Sequence, residues 1–135
     1  GPQGLVQFQC VLPMADAATV LDEMLTLTAR SGMASFLAVL KVFGDIPSPG
    51  LLSFPRPGAT LALDFPIRGR QTWDLMAELT RLVRQAEGSM YPAKDACMGP
   101  EDFAAFYPNH RELETWRDTR FSSSFWRRVT GQEGQ

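Results

Sequence analysis

The strongest constraint on the fold is a pattern of strand followed by helix that occurs twice in the chain. Residues 5–12 and 60–65 alternate apolar and polar side chains, as expected of strands that are covered on one face only. Apolar residues then recur at helical spacing over 17–28 and over 75–86, and a glycine follows each of these segments. The pattern predicts a sheet with helices packed against one of its faces.

Two further segments complete the predicted sheet. Residues 35–43 are rich in β-forming side chains and predict a central strand, and 89–91 can supply a short fourth strand. Asp16 is a favourable N-cap for the first helix. The predicted order β-α-β-β-α-β defines an α+β fold, a ferredoxin-like antiparallel sheet with both helices on one face.

The rest of the chain divides into a loop and a C-terminal extension. Residues 44–58 contain four prolines, too many for a regular element, and predict an ordered loop with a functional role. After Lys94, helices are predicted near 103–106 and 109–117, whereas 121–129 is aromatic and basic and has no firm assignment. This predicts a C-terminal helical extension to the sheet.

Composition excludes several classes of protein. The 135 residues carry a net charge of −2 with their cations dispersed, which argues against a nucleic-acid partner. No apolar run is long enough to span a membrane, so we expect a cytoplasmic protein and leave association with a membrane surface open. Cys10 and Cys97 are far apart and predict two buried free thiols, and His110 has no partner at metal-ligand spacing. No metal site is predicted.

A second inference from the alternation is that polar side chains converge on the sheet face opposite the helices. These residues are Gln7, Gln9, Lys41, Thr60 and Asp64. Val39 and Phe43 fall on the same face as Lys41, so this face mixes a cation, a ring and hydrogen-bonding groups, as a ligand-binding wall does. The alternative is an ordinary solvated face, although Lys41 within an apolar strand is expensive to bury without an anionic partner.

A second candidate site is the segment 91–95, which follows the last predicted strand. It places the Tyr91 phenol, the Lys94 ammonium and the Asp95 carboxylate within five residues, a set that can polarise an oxygen or hold an anionic ring edge. The same composition also occurs in plain surface turns. Glycine-rich nucleotide loops, nucleophile elbows and paired zinc ligands are absent from the sequence, so the chain lacks the motifs of a self-contained enzyme.

Several blocks, taken in order, resemble the C-terminal region of the decaprenylphosphoryl-β-D-ribose 2′-oxidase group. They are Phe36-Leu37-Ala38-Val39-Leu40-Lys41-Val42-Phe43-Gly44, Leu52-Ser53-Phe54-Pro55, Pro57-Gly58, Asp64-Phe65-Pro66, Tyr91-Pro92-Ala93-Lys94-Asp95, Phe103-Ala104-Ala105-Phe106-Tyr107-Pro108 and Arg127-Arg128. Each block is a weak signal alone, but their shared order covers nearly the whole chain.

The resemblance implies a two-part FAD-linked oxidase of the vanillyl-alcohol-oxidase type. In such proteins an N-terminal domain binds FAD and a cap domain holds a sugar or polyol substrate against the flavin, and residues 1–135 resemble the C-terminal part of the cap. Lys94 then matches a lysine beside both the flavin and the reacting hydroxyl, and Tyr91 matches an active-site tyrosine. The implied substrate wall comprises Gln7, Gln9, Val39, Lys41, Phe43, Thr60 and Ala62.

The chain departs from the family pattern at three positions, and these departures leave the substrate open. Thr60 and Ala62 stand where an asparagine and a cysteine are usual, and Ser124 stands where an aspartate is usual. Aldonolactone oxidases, including D-arabinono-1,4-lactone oxidase, are the second relatives, with a His-Trp-Ala-Lys block that keeps only the lysine. A cap that has lost activity and a non-catalytic ferredoxin-like module for ligand or protein binding are the other interpretations.

Overall fold

The computed structural model describes residues 3–33 and 35–132. Its strands are β1 (Leu5–Leu12), β2 (Ala38–Phe43), β3 (Gly58–Pro66) and β4 (Ser89–Met90). Its helices are α1 (Met14–Arg30), α2 (Arg70–Gln85), α3 (Pro100–Phe106), α4 (His110–Glu114) and α5 (Ser124–Val129). A short 3-10 turn, Pro92–Lys94, follows β4.

The four strands form one antiparallel sheet in the order β2-β3-β1-β4. The chain is therefore a mixed α and β protein with an antiparallel sheet, as the sequence pattern predicts. Alternating side chains explain how the sheet packs: Val6, Phe8, Cys10 and Leu12 point from β1 into the core, and the polar residues between them point away. Ala59, Leu61, Leu63 and Phe65 do the same from β3.

The two long helices bury their apolar stripes against this face of the sheet. From α2 the core receives Leu75, Met76, Leu79, Leu82 and Val83, and from α1 it receives Ala17 and Met24. Each large apolar side chain buried in this way contributes roughly 1.5–3 kcal/mol relative to an exposed one. Burial also raises the pKa of the Cys10 thiol to about 12.

The C-terminal extension packs onto the sheet end near β4. Phe103 of α3 and Trp126 of α5 are buried in the same core, and the indole of Trp126 donates a hydrogen bond to Glu114 at 2.9 Å. The Tyr107 hydroxyl donates to the backbone carbonyl of Met90 at 2.6 Å. The aromatic segment that had no assignment from sequence thus contains α5 and completes the core.

Among the described residues, no helix combines the length and apolar composition needed to cross a bilayer.

Three local expectations are wrong. The strand predicted over 35–43 is β2, which begins at Ala38 and lies at the edge of the sheet, so Lys41 is exposed and needs no buried partner. Helix α1 begins two residues before Asp16, which lies in the first turn, because Pro13 already supplies the extended backbone that precedes the helix. Both cysteines are free as predicted, but Cys97 is exposed.

Candidate functional site

A small groove of about 110 Å³ lies on the sheet face opposite the helices. Seven of the nine site residues that the family resemblance implies line it: Gln7, Gln9, Val39, Lys41, Thr60, Ala62 and Lys94. Leu37 and Asp64 complete the lining. The alternation of the strands therefore does bring the predicted polar residues together in one concave surface.

The strand register explains this convergence. Gln9 of β1 lies opposite Ala62 of β3, which in turn lies opposite Val39 of β2, so these three side chains form one row across the sheet. Lys41 lies opposite Thr60 in the neighbouring row. Residues in register on adjacent antiparallel strands share a face, which places both rows in the groove.

Two cross-strand hydrogen bonds organise the polar floor. The side-chain amide of Gln9 donates to the Thr60 hydroxyl at 3.1 Å, and that of Gln7 donates to the Asp64 carboxylate at 3.0 Å. Thr60 is buried, whereas Gln7 is exposed, so the solvent exposure of the floor increases towards the start of β1. Among residues 3–33 and 35–132 the amide oxygens of both glutamines accept no side-chain hydrogen bond, so they can accept one from a ligand hydroxyl.

The groove carries an excess of positive charge. Lys41 and Lys94 both line it, and within residues 3–33 and 35–132 neither ammonium group forms an ion pair. Asp64 supplies the one carboxylate in the lining, and it already accepts a hydrogen bond from Gln7. The groove is therefore suited to a hydroxylated or anionic ligand, since such a ligand would give both ammonium groups an acceptor.

Lys94 reaches the groove because the short 3-10 turn folds back onto the sheet. The Tyr91 backbone N–H donates to the Gln9 carbonyl at 2.8 Å, and the Lys94 N–H donates to the Tyr91 carbonyl at 3.1 Å. The chain after β4 is thereby tied to β1 immediately beside the groove. Lys94 itself is half-buried.

The two other predicted site residues, Tyr91 and Phe43, lie outside the groove lining and form an aromatic cluster with Phe54. The Phe54 ring stacks on Tyr91 with centroids 4.8 Å apart and meets Phe43 edge-on at 5.8 Å. Phe54 belongs to the proline-rich loop 44–57 and is buried. Arg56 ties the same loop to α3 by donating to the Phe106 carbonyl at 3.4 Å. The loop thus supports two of the predicted site residues from behind.

Two residues of this region, Leu37 and Phe54, were not predicted from the sequence, whereas the alternation had already placed Asp64 on this face. Leu37 shares its face with Val39 and Lys41 by the period of two, so it could have been included from the alternation. Phe54 lies in an irregular loop and makes its contacts through tertiary packing, so no sequence period indicates it.

A larger open groove, of about 550 Å³, lies along α2. Its arginines already have partners: Arg84 pairs with Asp102 at 3.1 Å and Arg81 pairs with Glu78 at 3.0 Å. Because these charges are neutralised within the chain, the smaller groove on the sheet is the better candidate site despite its size.

In the comparisons with known proteins, this chain matches a part of two longer proteins. The chain is 38% identical over 116 residues to decaprenylphosphoryl-beta-D-ribose oxidase of Mycolicibacterium smegmatis, a match that covers 86% of this chain and 24% of that protein. It is 34% identical over 132 residues to an uncharacterized protein in the mprA 5′ region of Streptomyces coelicolor, covering 94% of this chain and 35% of that protein. No protein-family model matches the sequence.

The chain therefore spans about a quarter to a third of the length of these curated relatives. The similarity to decaprenylphosphoryl-beta-D-ribose oxidase extends over most of this chain.

Proposed function

We propose that this chain forms the substrate-pocket wall of a longer FAD-dependent oxidoreductase that oxidises an alcohol group of a sugar or sugar-like substrate. The observation that carries the proposal is the groove, which is lined by both Lys94 and Lys41 together with the polar floor of β1 and β3. The similarity to decaprenylphosphoryl-beta-D-ribose oxidase supports oxidation as the chemistry. The sheet order β2-β3-β1-β4 supports a ferredoxin-like βαββαβ arrangement for this part of the cap domain.

The groove suits part of a substrate rather than a whole cofactor. Its volume of about 110 Å³ is well below the roughly 300–1,000 Å³ of pockets that enclose drug-sized ligands. It is large enough for a portion of a sugar, whose hydroxyls can donate to the amide oxygens of Gln7 and Gln9. Lys41 and Val39 would border the substrate from β2, and Thr60 and Ala62 from β3.

Lys94 is the residue through which this chain would meet FAD. Its ammonium group makes no ion pair within the described residues, so it is free to face the electron-rich edge of a flavin or the substrate oxygen. FAD, when bound, supplies the acceptor for hydride. The remainder of the cofactor would be held by an FAD-binding domain of the longer protein, since the sequence has no glycine-rich pyrophosphate loop.

The residues around the groove would then have different roles in catalysis. Lys94 stabilises negative charge as it develops, and the polar floor orients the hydroxyl that is oxidised. Tyr91 and Phe43, held by Phe54, form the aromatic boundary beside the groove. Thr60, which stands where the similar oxidases have an asparagine, accepts a hydrogen bond from Gln9 and so fixes part of the floor.

The test uses the purified full-length protein. We expect a visible flavin spectrum that bleaches when a sugar alcohol or an aldonolactone is added without oxygen. Lys94→Ala should slow flavin reduction by two or more orders of magnitude, the usual effect of losing a group that stabilises transition-state charge. Arg127→Met, a cation removed outside the groove, should leave the rate unchanged. A colourless protein, or an unchanged rate in Lys94→Ala, would refute the proposal.

A further inference from the structure

A buried carboxylate lies directly beside the lysine of the groove. The Asp95 side chain has no exposed surface, and its Oδ1 accepts hydrogen bonds from the backbone N–H groups of Cys97 at 3.0 Å and Met98 at 2.8 Å. Its other oxygen, Oδ2, lies 3.0 Å from Nη2 of Arg128. This carboxylate therefore fixes the backbone that leaves the 3-10 turn on which Lys94 lies.

Arg128 brings helix α5 to the same turn. Besides facing Asp95, its guanidinium donates from Nη1 to the Met98 carbonyl at 2.9 Å and lies over the Phe125 ring at 5.7 Å from its centroid. The side chain is only 25% exposed. One arginine thus binds the carboxylate and a backbone carbonyl three residues later, which clamps the segment between Asp95 and Met98.

Charge explains why this clamp matters for Lys94. A buried carboxylate that loses its cation is strongly destabilised. It therefore attracts any other cation within reach. The nearest ammonium along the chain is that of Lys94, the preceding residue. With Arg128 in place, Asp95 is neutralised, and the Lys94 ammonium stays directed to the groove instead of to its neighbour.

We infer that Asp95 and Arg128 are positioning residues that hold Lys94 at the groove. The inference rests on the proposed function, because it assigns these residues a role in the reaction that Lys94 serves. Neither residue lines the groove, so each acts through Lys94 rather than on the substrate.

A double-mutant cycle in the full-length protein tests this coupling. The limiting rate of flavin reduction is measured for Arg128→Met, for Lys94→Ala and for the two combined. We expect Arg128→Met to lower the rate by about 10- to 100-fold, the range that a displaced catalytic group produces. In the Lys94→Ala background the same change should have no further effect, because the lysine that it misplaces is gone.

A general loss of structure would behave differently and is monitored in parallel. Arg128→Met that lowers the rate equally with and without Lys94 would overturn the inference. Arg128→Lys, which keeps the charge, should recover most of the rate. If the methionine variant does not fold, Asp95→Asn, which removes the other charge of the pair, gives the same cycle. Arg127→Met, on the same helix and without an ion pair among the described residues, is the matched control.

The cycle also separates the inference from the function on which it rests. An unchanged rate in Lys94→Ala refutes the role of the lysine and, with it, both proposals. A large effect of Lys94→Ala together with full additivity of Arg128→Met refutes the positioning role alone.

Discussion

The hydroxyl of Tyr107 offers a sharp test of the packing, because it is a single polar group buried at the junction of the sheet and the C-terminal helices. It is 2% exposed and donates to the Met90 carbonyl at 2.6 Å. Tyr107→Phe removes the bond, worth roughly 0.5–1.5 kcal/mol net, and leaves a buried carbonyl whose desolvation costs roughly 1–3 kcal/mol. We expect a loss of about 2 kcal/mol in the free energy of unfolding at pH 7.

The same substitution should lose its effect at high pH. Burial raises the pKa of Tyr107 to about 12, so the folded chain holds this proton more tightly than the unfolded chain, whose tyrosine titrates near 10. The stability that this shift provides is complete below about pH 10 and is lost as the pH rises towards 12. The difference between wild type and Tyr107→Phe should therefore shrink by about 1 kcal/mol between pH 9 and pH 11.

Urea unfolding followed by tryptophan fluorescence measures both effects. In thermal unfolding at pH 7, the melting temperature of Tyr107→Phe should lie about 7 °C below that of the wild type, since a chain of this size unfolds with an entropy of roughly 0.28 kcal/mol/K. Tyr91→Phe is the matched control, because its hydroxyl forms no hydrogen bond within the described part of the chain. A stability difference for Tyr107→Phe that stays constant from pH 9 to pH 11 would refute the reasoning.

Two other changes probe the sheet and its core. Gly58→Ala should destabilise the chain by about 3 kcal/mol or more in thermal unfolding. Gly58 has φ +154°, and an added Cβ would lie 2.3 Å from the Leu12 carbonyl oxygen. The control is Gly44→Ala, which has open space around it and should change stability by less than about 0.5 kcal/mol. A thiol reagent should modify Cys97 in the native chain and reach Cys10 only after unfolding, since Cys10 is fully buried and its pKa is about 12. Modification of Cys10 in the native Cys97→Ser variant would contradict the packing.

Most of the residues that line the groove could be predicted from the sequence, because the face on which a strand residue lies follows from the period of two. Once strands are recognised, alternation decides which face Gln9, Lys41 and Thr60 occupy, and this held even where the position of β2 in the sheet was predicted wrongly. Whether a strand is central or at an edge depends on which other strand pairs with it. An apolar segment such as 38–43 carries no local signal of that pairing.

The contacts that hold the residues around the groove in place could not be predicted in the same way. Phe54 contacts Tyr91 from a proline-rich loop, and Arg128 reaches Asp95 from a helix more than thirty residues later. Both contacts join segments that are distant in sequence and lack a regular period, so only the folded chain brings them together. The predicted roles of Lys94 and Tyr91 came from family resemblance, and they stay predictions until the flavin experiment is done.

The edge position of β2 has a consequence for how the groove moves. Its other wall, formed by β1 and β3, is hydrogen-bonded on both sides, whereas within the described part of the chain β2 pairs with β3 alone. Opening of β2 therefore requires breaking one ladder, and its amides should exchange with solvent through local fluctuations well below the free energy of global unfolding. A ligand that bridges Lys41 and Gln9 would suppress this local opening. Slower hydrogen exchange of the amides in 38–43 would therefore report that the groove is occupied.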